Sequence, residues 1–176
     1  MEIPLELIKQ LRDETGFGII ECKKALADSG GNSQKAKEIL SKRGMEIAAK
    51  KSGREAKQGR VEAYIHPGNK MATLVEVNCE TDFVANSPDF CQFTKELALH
   101  IAAMGPQYIR ESDIPAEVLE PQPDKKTFVK ENCLLNQPYV KDQSKTIQDN
   151  LNALVGKIGE NIIISRFVRY KVGEIE

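Results

Sequence analysis

From residue 73 to residue 81 apolar and polar side chains alternate. Val75, Val77 and Cys79 fall on one face and Glu76, Asn78 and Glu80 on the other, the pattern of a half-buried strand. The period then changes. Phe90, Phe93, Leu97, Ile101 and Met104 recur at helical spacing, Ser87 is placed to cap that helix, Pro88 suits its first position, and Asp89 complements the positive end of its dipole. Asp82 and Phe83 therefore fall in a short strand-to-helix connection. Such connections are normally polar and solvated. A Phe beside an Asp there either presents a large apolar probe with a charge at its base or folds back to lid the helix–sheet core; the spacing leaves both open.

Residues 60–66 alternate as well, Val61, Ala63 and Ile65 against Glu62, Tyr64 and His66, and Pro67-Gly68-Asn69-Lys70 supplies turn chemistry. The two alternating runs predict an antiparallel hairpin. Before it, residues 4–44 read as three short helices. Pro4 opens the first, with Leu7, Ile8 and Leu11 as its apolar stripe, and Thr15-Gly16-Phe17-Gly18 breaks it. The second carries Ile19, Cys22 and Leu26 on one side and stops at Gly30-Gly31. Asn32 or Ser33 caps the third, which buries Ala36, Ile39 and Leu40 and ends at Gly44. This unit resembles a compact ubiquitin-associated-type bundle. After the hairpin and the long helix, Asp113 caps a short helix through Val118 and Leu119, an amphipathic stretch covers 127–135, and Ser144 caps a helix bearing Ile147, Leu151, Leu154 and Ile158 that Gly159 closes. A last strand runs over 162–170, with Ile163 and Phe167 on one face and Ile164, Val168 and Tyr170 on the other. The predicted class is α+β: a three-helix N-terminal domain (1–45), a basic linker (46–59), and a core (60–176) in which helices cover a three-stranded antiparallel sheet.

Composition narrows the function more by exclusion than by indication. With 25 Lys and Arg against 26 Asp and Glu the net charge is -1, which gives no global field for nucleic acid or membrane. Locally, Lys42, Arg43, Lys50, Lys51, Arg54, Lys57 and Arg60 face only Glu46 and Glu55, a run that reads as a solvated helical linker or, alternatively, as a ribosome- or RNA-binding stretch; it has no aromatic to stack on bases. No long apolar run and no basic, apolar leader occurs, so the expectation is a cytoplasmic protein. Cys22, Cys79, Cys91 and Cys133 are scattered among only two histidines, His66 and His100, which points to buried small hydrophobes rather than a metal site. There is no glycine-rich phosphate loop and no Gly-x-Ser-x-Gly or His-Glu-x-x-His motif, and neither histidine has an evident nucleophile beside it. No enzyme activity, cofactor or metal is expected.

Two segments change this picture. Leu11-Arg12-Asp13-Glu14-Thr15-Gly16-Phe17-Gly18 followed by Cys22-Lys23-Lys24-Ala25-Leu26 resembles the N-terminal signature of bacterial elongation factor Ts, and Asn78-Cys79-Glu80-Thr81-Asp82-Phe83-Val84-Ala85 resembles that family's core signature. Ala48-Ala49-Lys50-Lys51 joins them, and the similarity continues through Leu135-Asn136-Gln137-Pro138, Lys145-Thr146 and Gly159-Glu160-Asn161-Ile162 to Arg166-Phe167-Val168-Arg169. The resemblance implies a nucleotide exchange factor that binds elongation factor Tu and expels its GDP. It implies that Thr81, Asp82, Phe83 and Val84 wedge into Tu's nucleotide domain near the magnesium site, and that Thr15, Gly16, Phe17, Gly18, Lys23 and Lys24 dock on the same domain. His66, at the hairpin, touches another part of Tu on the same analogy. Longer members carry two core repeats and a coiled-coil excursion; here there is one core, and Glu120-Pro121-Gln122-Pro123-Asp124-Lys125-Lys126 stands where the excursion belongs. A homodimer is the expected way to rebuild the doubled core.

Overall fold

Three helices open the chain: α1 (Leu5–Thr15), α2 (Ile19–Asp28) and α3 (Ser33–Lys51). Asn32 caps α3 by accepting a hydrogen bond from the Lys35 amide at 2.9 Å. Ile8, Leu11, Phe17, Cys22, Ala25, Leu26, Ala36 and Leu40 form one buried cluster. The computed structural model describes residues 3–174. It separates into two units, one of residues up to Arg54 with Leu151–Asn161, the other of Glu55–Asn150 with the chain from Ile162 onward.

Two expectations for the first unit change. The spacing ends the third helix at Gly44, but α3 continues to Lys51 and carries Lys42, Arg43, Lys50 and Lys51 with it. Gly44 is a close-approach residue instead of a stop: a Cβ there would lie 3.1 Å from the Asn152 carbonyl oxygen and 3.4 Å from the Phe17 ring. Ile19, assigned to the inner face of the second helix, is 55% exposed. It stands on the first turn of α2, next to Gly18, where an added side chain would meet nothing within 4 Å.

In the second unit, β1 (Gln58–Ile65) and β2 (Met71–Cys79) form the predicted hairpin, and β5 (Ile163–Lys171) pairs antiparallel with β2, giving the order β1-β2-β5. Between β2 and β5 in sequence lie α4 (Asp82–Ala85), α5 (Pro88–Met104), α6 (Ala116–Leu119), α7 (Lys125–Asn132), a small hairpin of β3 (Pro138–Tyr139) and β4 (Asp142–Thr146), and α8 (Ile147–Ile158), which from Leu151 onward belongs to the first unit. Val75, Val77 and Cys79 are buried, as are Phe90, Leu97 and Ile101 of α5, which packs over β1 and β2. The fold is α+β, with a three-stranded antiparallel sheet and helices against one of its faces.

The register of β5 is the largest departure from simple alternation. Val77 faces Ile164 and Glu76 faces Arg166, so Ser165 is an extra residue, a β-bulge. It turns Ile164 inward, 1% exposed, and leaves Val168 opposite Leu74 and Tyr170 opposite Ala72 on the outer face; Ile164 therefore does not share a face with Val168 and Tyr170. On β1 the apolar members of the alternation point outward, Val61 and Ile65 being 63% and 64% exposed, while Glu62 turns inward to pair with Arg60 at 3.2 Å and accept from the Thr94 hydroxyl at 3.2 Å. Two caps also differ. The Asp113 carboxylate accepts from the Arg110 amide at 2.9 Å, closing the turn before α6 rather than capping it. Ser144 donates to Asp142 at 2.6 Å within β4, and Thr146 with Asp149 forms the reciprocal cap of α8.

Candidate functional site

The strand-to-helix connection is a single helical turn, α4. The Thr81 hydroxyl accepts from the Val84 amide at 3.4 Å, capping it at the start. Four side chains then donate to the turn's carbonyl oxygens: Cys79 to Thr81 at 3.1 Å, Asn86 to Asp82 at 2.8 Å, Ser87 to Val84 at 2.8 Å and Cys91 to Ala85 at 3.7 Å. Ala85, buried, pins the turn from beneath. Helix α5 begins at once, with Ser87 as cap and Pro88 in its first turn, as the spacing predicts. A turn stapled this way holds its outward side chains in fixed directions.

Phe83 is the outward side chain, 83% exposed, with exposed Asp82 beside it. Burying a Phe stabilises a fold by roughly 1.5–3 kcal/mol, so this fold forgoes that gain at a position it otherwise holds firmly. The ring does not lid the core. Val84 is half-buried and contributes its edge to the same turn.

At the second predicted locus, Gly16 ends α1 in the left-handed conformation at φ +74, its amide donating to the Arg12 carbonyl at 2.7 Å. Thr15 turns its hydroxyl back to the Leu11 carbonyl at 2.6 Å, and Gly18 precedes α2 in extended conformation. Lys23 and Lys24 are exposed on α2. Phe17 is 3% exposed and belongs to the interior of its unit. Ile20, 82% exposed, and Ile19 flank this loop with apolar surface that the stripe assignment overlooked. The spacing signals Ile20, which falls off the face shared by Ile19, Cys22 and Leu26, but nothing in it places Ile19 outside.

His66 sits at the hairpin, its Nδ1 3.1 Å from the Tyr64 hydroxyl. His100 is fully buried, with Val140 N–H donating to Nδ1 at 3.2 Å and Nε2 3.0 Å from Gln137 Oε1. Burial lowers its pKa, partly offset by the Gln137 hydrogen bond. On the same helix, burial pushes the Glu96 carboxyl up, but hydrogen bonds from Tyr139, Gln92 and Lys141 outweigh it and leave it below the usual carboxylate range. Cys22, Cys79 and Cys133 are buried and Cys91 is half-buried; burial, with Glu111 and Asp113 nearby, pushes the Cys133 thiol up to about 11. Among the described residues no group of three or more His, Cys, Asp or Glu is placed to hold a metal ion, and no helix is long and apolar enough to cross a membrane.

The geometry therefore offers a presented aromatic with an adjacent acid, and a second apolar and basic locus. Comparison with known proteins agrees with the two signatures. The family model described as Elongation factor TS matches residues 18–127 and 124–174, the two matches overlapping at 124–127. Elongation factor Ts of Coprothermobacter proteolyticus is 47% identical over 197 aligned positions, 99% of this chain and 100% of that one. That of Caldanaerobacter subterraneus subsp. tengcongensis is 45% identical over 195 positions, 98% of each chain, and that of Fervidobacterium nodosum 41% identical over 197, 99% and 100%. These alignments are longer than the 176-residue chain, so the relatives carry insertions that it lacks. On a family match over most of its length and relatives at 41–47% identity, the chain belongs to the elongation factor Ts family.

Proposed function

We propose that this protein is a guanine-nucleotide exchange factor for elongation factor Tu and that Phe83, with Asp82 at its base, is the group that loosens the bound GDP. The observation that carries the reading is the nearly full exposure of Phe83 on a turn stapled by four side-chain hydrogen bonds. Phe83 enters an apolar slot between elements of Tu's nucleotide domain, and the Asp82 carboxylate draws hydrogen-bond donors away from the surroundings of the magnesium ion. Exchange requires only that the wedge bind nucleotide-free Tu more tightly than GDP-bound Tu; GDP then weakens the factor's binding by the same ratio. Thr15, Gly16, Gly18, Lys23 and Lys24, with Ile19 and Ile20, dock the N-terminal unit on that domain. Phe17 acts there by fixing the loop, since its own ring is interior.

Two copies pair, in this reading, through the outer face of the sheet. Its support is the run of exposed apolar residues Val61, Ile65, Leu74 and Tyr170 on three adjacent strands, a continuous patch that a lone soluble chain has no folding reason to keep. Light scattering that finds only a monomer, both free and with Tu, removes the pairing.

The deciding experiment is release of a fluorescent GDP analogue from Tu. The protein is expected to accelerate it, and F83A to lower that acceleration by about tenfold or more, equal to about 1.4 kcal/mol of lost transition-state stabilisation, with native circular dichroism. Wild-type protein without effect on release, or F83A as active as wild type, refutes the wedge.

A further inference from the structure

The second unit holds a cleft of about 500 Å³ between the end of the connector after α5, the helix α7 and the strand β4. Lys125, Lys126, Lys130 and Lys145 line it against one carboxylate, Glu111. In a chain whose net charge is -1, four ammonium groups around one small concavity are a local concentration of positive charge that folding does not require. Two further carboxylates stand beside it and their hydrogen bonds keep them ionised: Asp124 accepts from the Thr127 amide and hydroxyl, and Asp142 accepts from Ser144 and pairs with Lys145 at 3.6 Å, which leaves Lys125, Lys126 and Lys130 as the lysines the cleft offers. Lys125, Lys126 and Lys130 have no ion pair among the described residues, and all three are exposed. The wall also offers the amides of Asn136 and Gln143 as neutral donors.

We infer that this cleft binds the phosphate chain of a polyphosphate-bearing small molecule. Its volume lies within the usual range for small-ligand sites, roughly 300–1,000 Å³. Lysines supply mobile point charges that follow phosphate oxygens in several arrangements, whereas a bidentate carboxylate reader would use arginine. No aromatic side chain lines the cleft, so nothing in it stacks on a base, which argues for recognition of the phosphates and against single-stranded RNA as the occupant. Glu111 sets the sign of a second effect: its carboxylate opposes any anion in the cleft, so removing that charge tightens binding.

Titration calorimetry on the full chain at low salt tests the assignment, with sodium tripolyphosphate, ATP and adenosine as probes. Tripolyphosphate is expected to bind, K126A/K130A to weaken it about tenfold or more, E111Q to tighten it about threefold, and K50A/K57A, which alters basic residues elsewhere, to leave it unchanged, all effects shrinking as salt screens the charges. ATP and tripolyphosphate binding alike, with adenosine inert, identifies the phosphate chain itself as the ligand. ATP binding more tightly with the same dependence on Lys126 and Lys130 identifies a nucleotide as its source. Equal tripolyphosphate affinity in wild type and K126A/K130A overturns the proposal. So does single-stranded RNA bound more tightly than tripolyphosphate with the same dependence on Lys126 and Lys130.

Discussion

Phe17 and Phe83 stand in comparable places, each in a few-residue connection inside one of the two family signatures, yet one is 3% and the other 83% exposed. The difference lies in what faces them. Opposite Phe17 two glycines leave a hole: Cβ atoms added at Gly156 and Gly44 would come within 2.9 Å and 3.4 Å of its ring. Opposite Phe83 there is no such hole, and the turn beneath it is closed by its own hydrogen bonds and by buried Ala85. Whether an aromatic in a connection packs or projects is thus decided by residues distant in sequence. The same residue type serves as mortar in one unit and as tool in the other.

The contrast is broken most severely by F17A. Emptying a site that Leu11, Leu26 and Leu40 surround is expected to cost about 3–5 kcal/mol, measured by urea unfolding, whereas F83A is expected to shift the midpoint by less than about 0.5 kcal/mol. Filling the hole from the other side is milder. G156A places a methyl group 2.9 Å from the Phe17 ring, and overpacking of that kind costs about 1–3 kcal/mol, against which the better helix propensity of Ala returns up to about 1 kcal/mol. If the two residues share one hole, the double variant F17A/G156A loses less than the two single losses added together.

Functionally the ranking inverts. F83A, silent in the unfolding experiment, is the variant expected to lose about tenfold in stimulated GDP release, about 1.4 kcal/mol, while D82N is expected to lose less because the ring still enters its slot. A Phe83 variant that unfolds, or a Phe17 variant that keeps full stability and loses exchange alone, reverses the assignment of the two roles.

The parts legible from sequence are those whose causes are local. Ser87, Pro88 and Gly105 bound α5 because a cap, a fixed φ and a left-handed residue act within one turn. The β1-β2 hairpin follows from two alternating runs and a four-residue turn. Gly44 misleads because its reason for being glycine is the Asn152 carbonyl, more than a hundred residues on. The β5 face inverts at Ser165 because a bulge adds a residue without leaving a composition signal. Strands β3 and β4 were invisible because Asp142–Thr146 contains no apolar residue to alternate. For the site, the two signatures single out Phe83 and Lys23; only the folded chain tells that Phe83 projects, that Phe17 does not, and that Ile19 and Ile20 are outside.

The two histidines repeat the contrast on a smaller energy scale. His66 is exposed at the hairpin, whereas His100 is buried with both ring nitrogens occupied. Because Val140 N–H donates to Nδ1, the proton of the neutral ring sits on Nε2 and donates to Gln137, whose own amide donates to the Glu131 carbonyl at 2.6 Å. Protonating Nδ1 would set it against the Val140 N–H, and burial already disfavours the cation, so the folded-state pKa lies below the ordinary 6.5. Between that lowered value and 6.5 the unfolded chain holds a proton that the folded chain does not, so stability rises with pH there and falls as the solution is acidified. One proton sets the limit at about 1.4 kcal/mol per pH unit. The depressed carboxyls of Glu96 and Asp124 act lower still, since their ordinary values are 4.5 and 3.8. Urea midpoints of the wild type are therefore expected to decline from pH 6.5 to pH 5. H100Q is expected to flatten that slope, since glutamine has no proton to take up. A slope that survives in H100Q assigns the titration elsewhere.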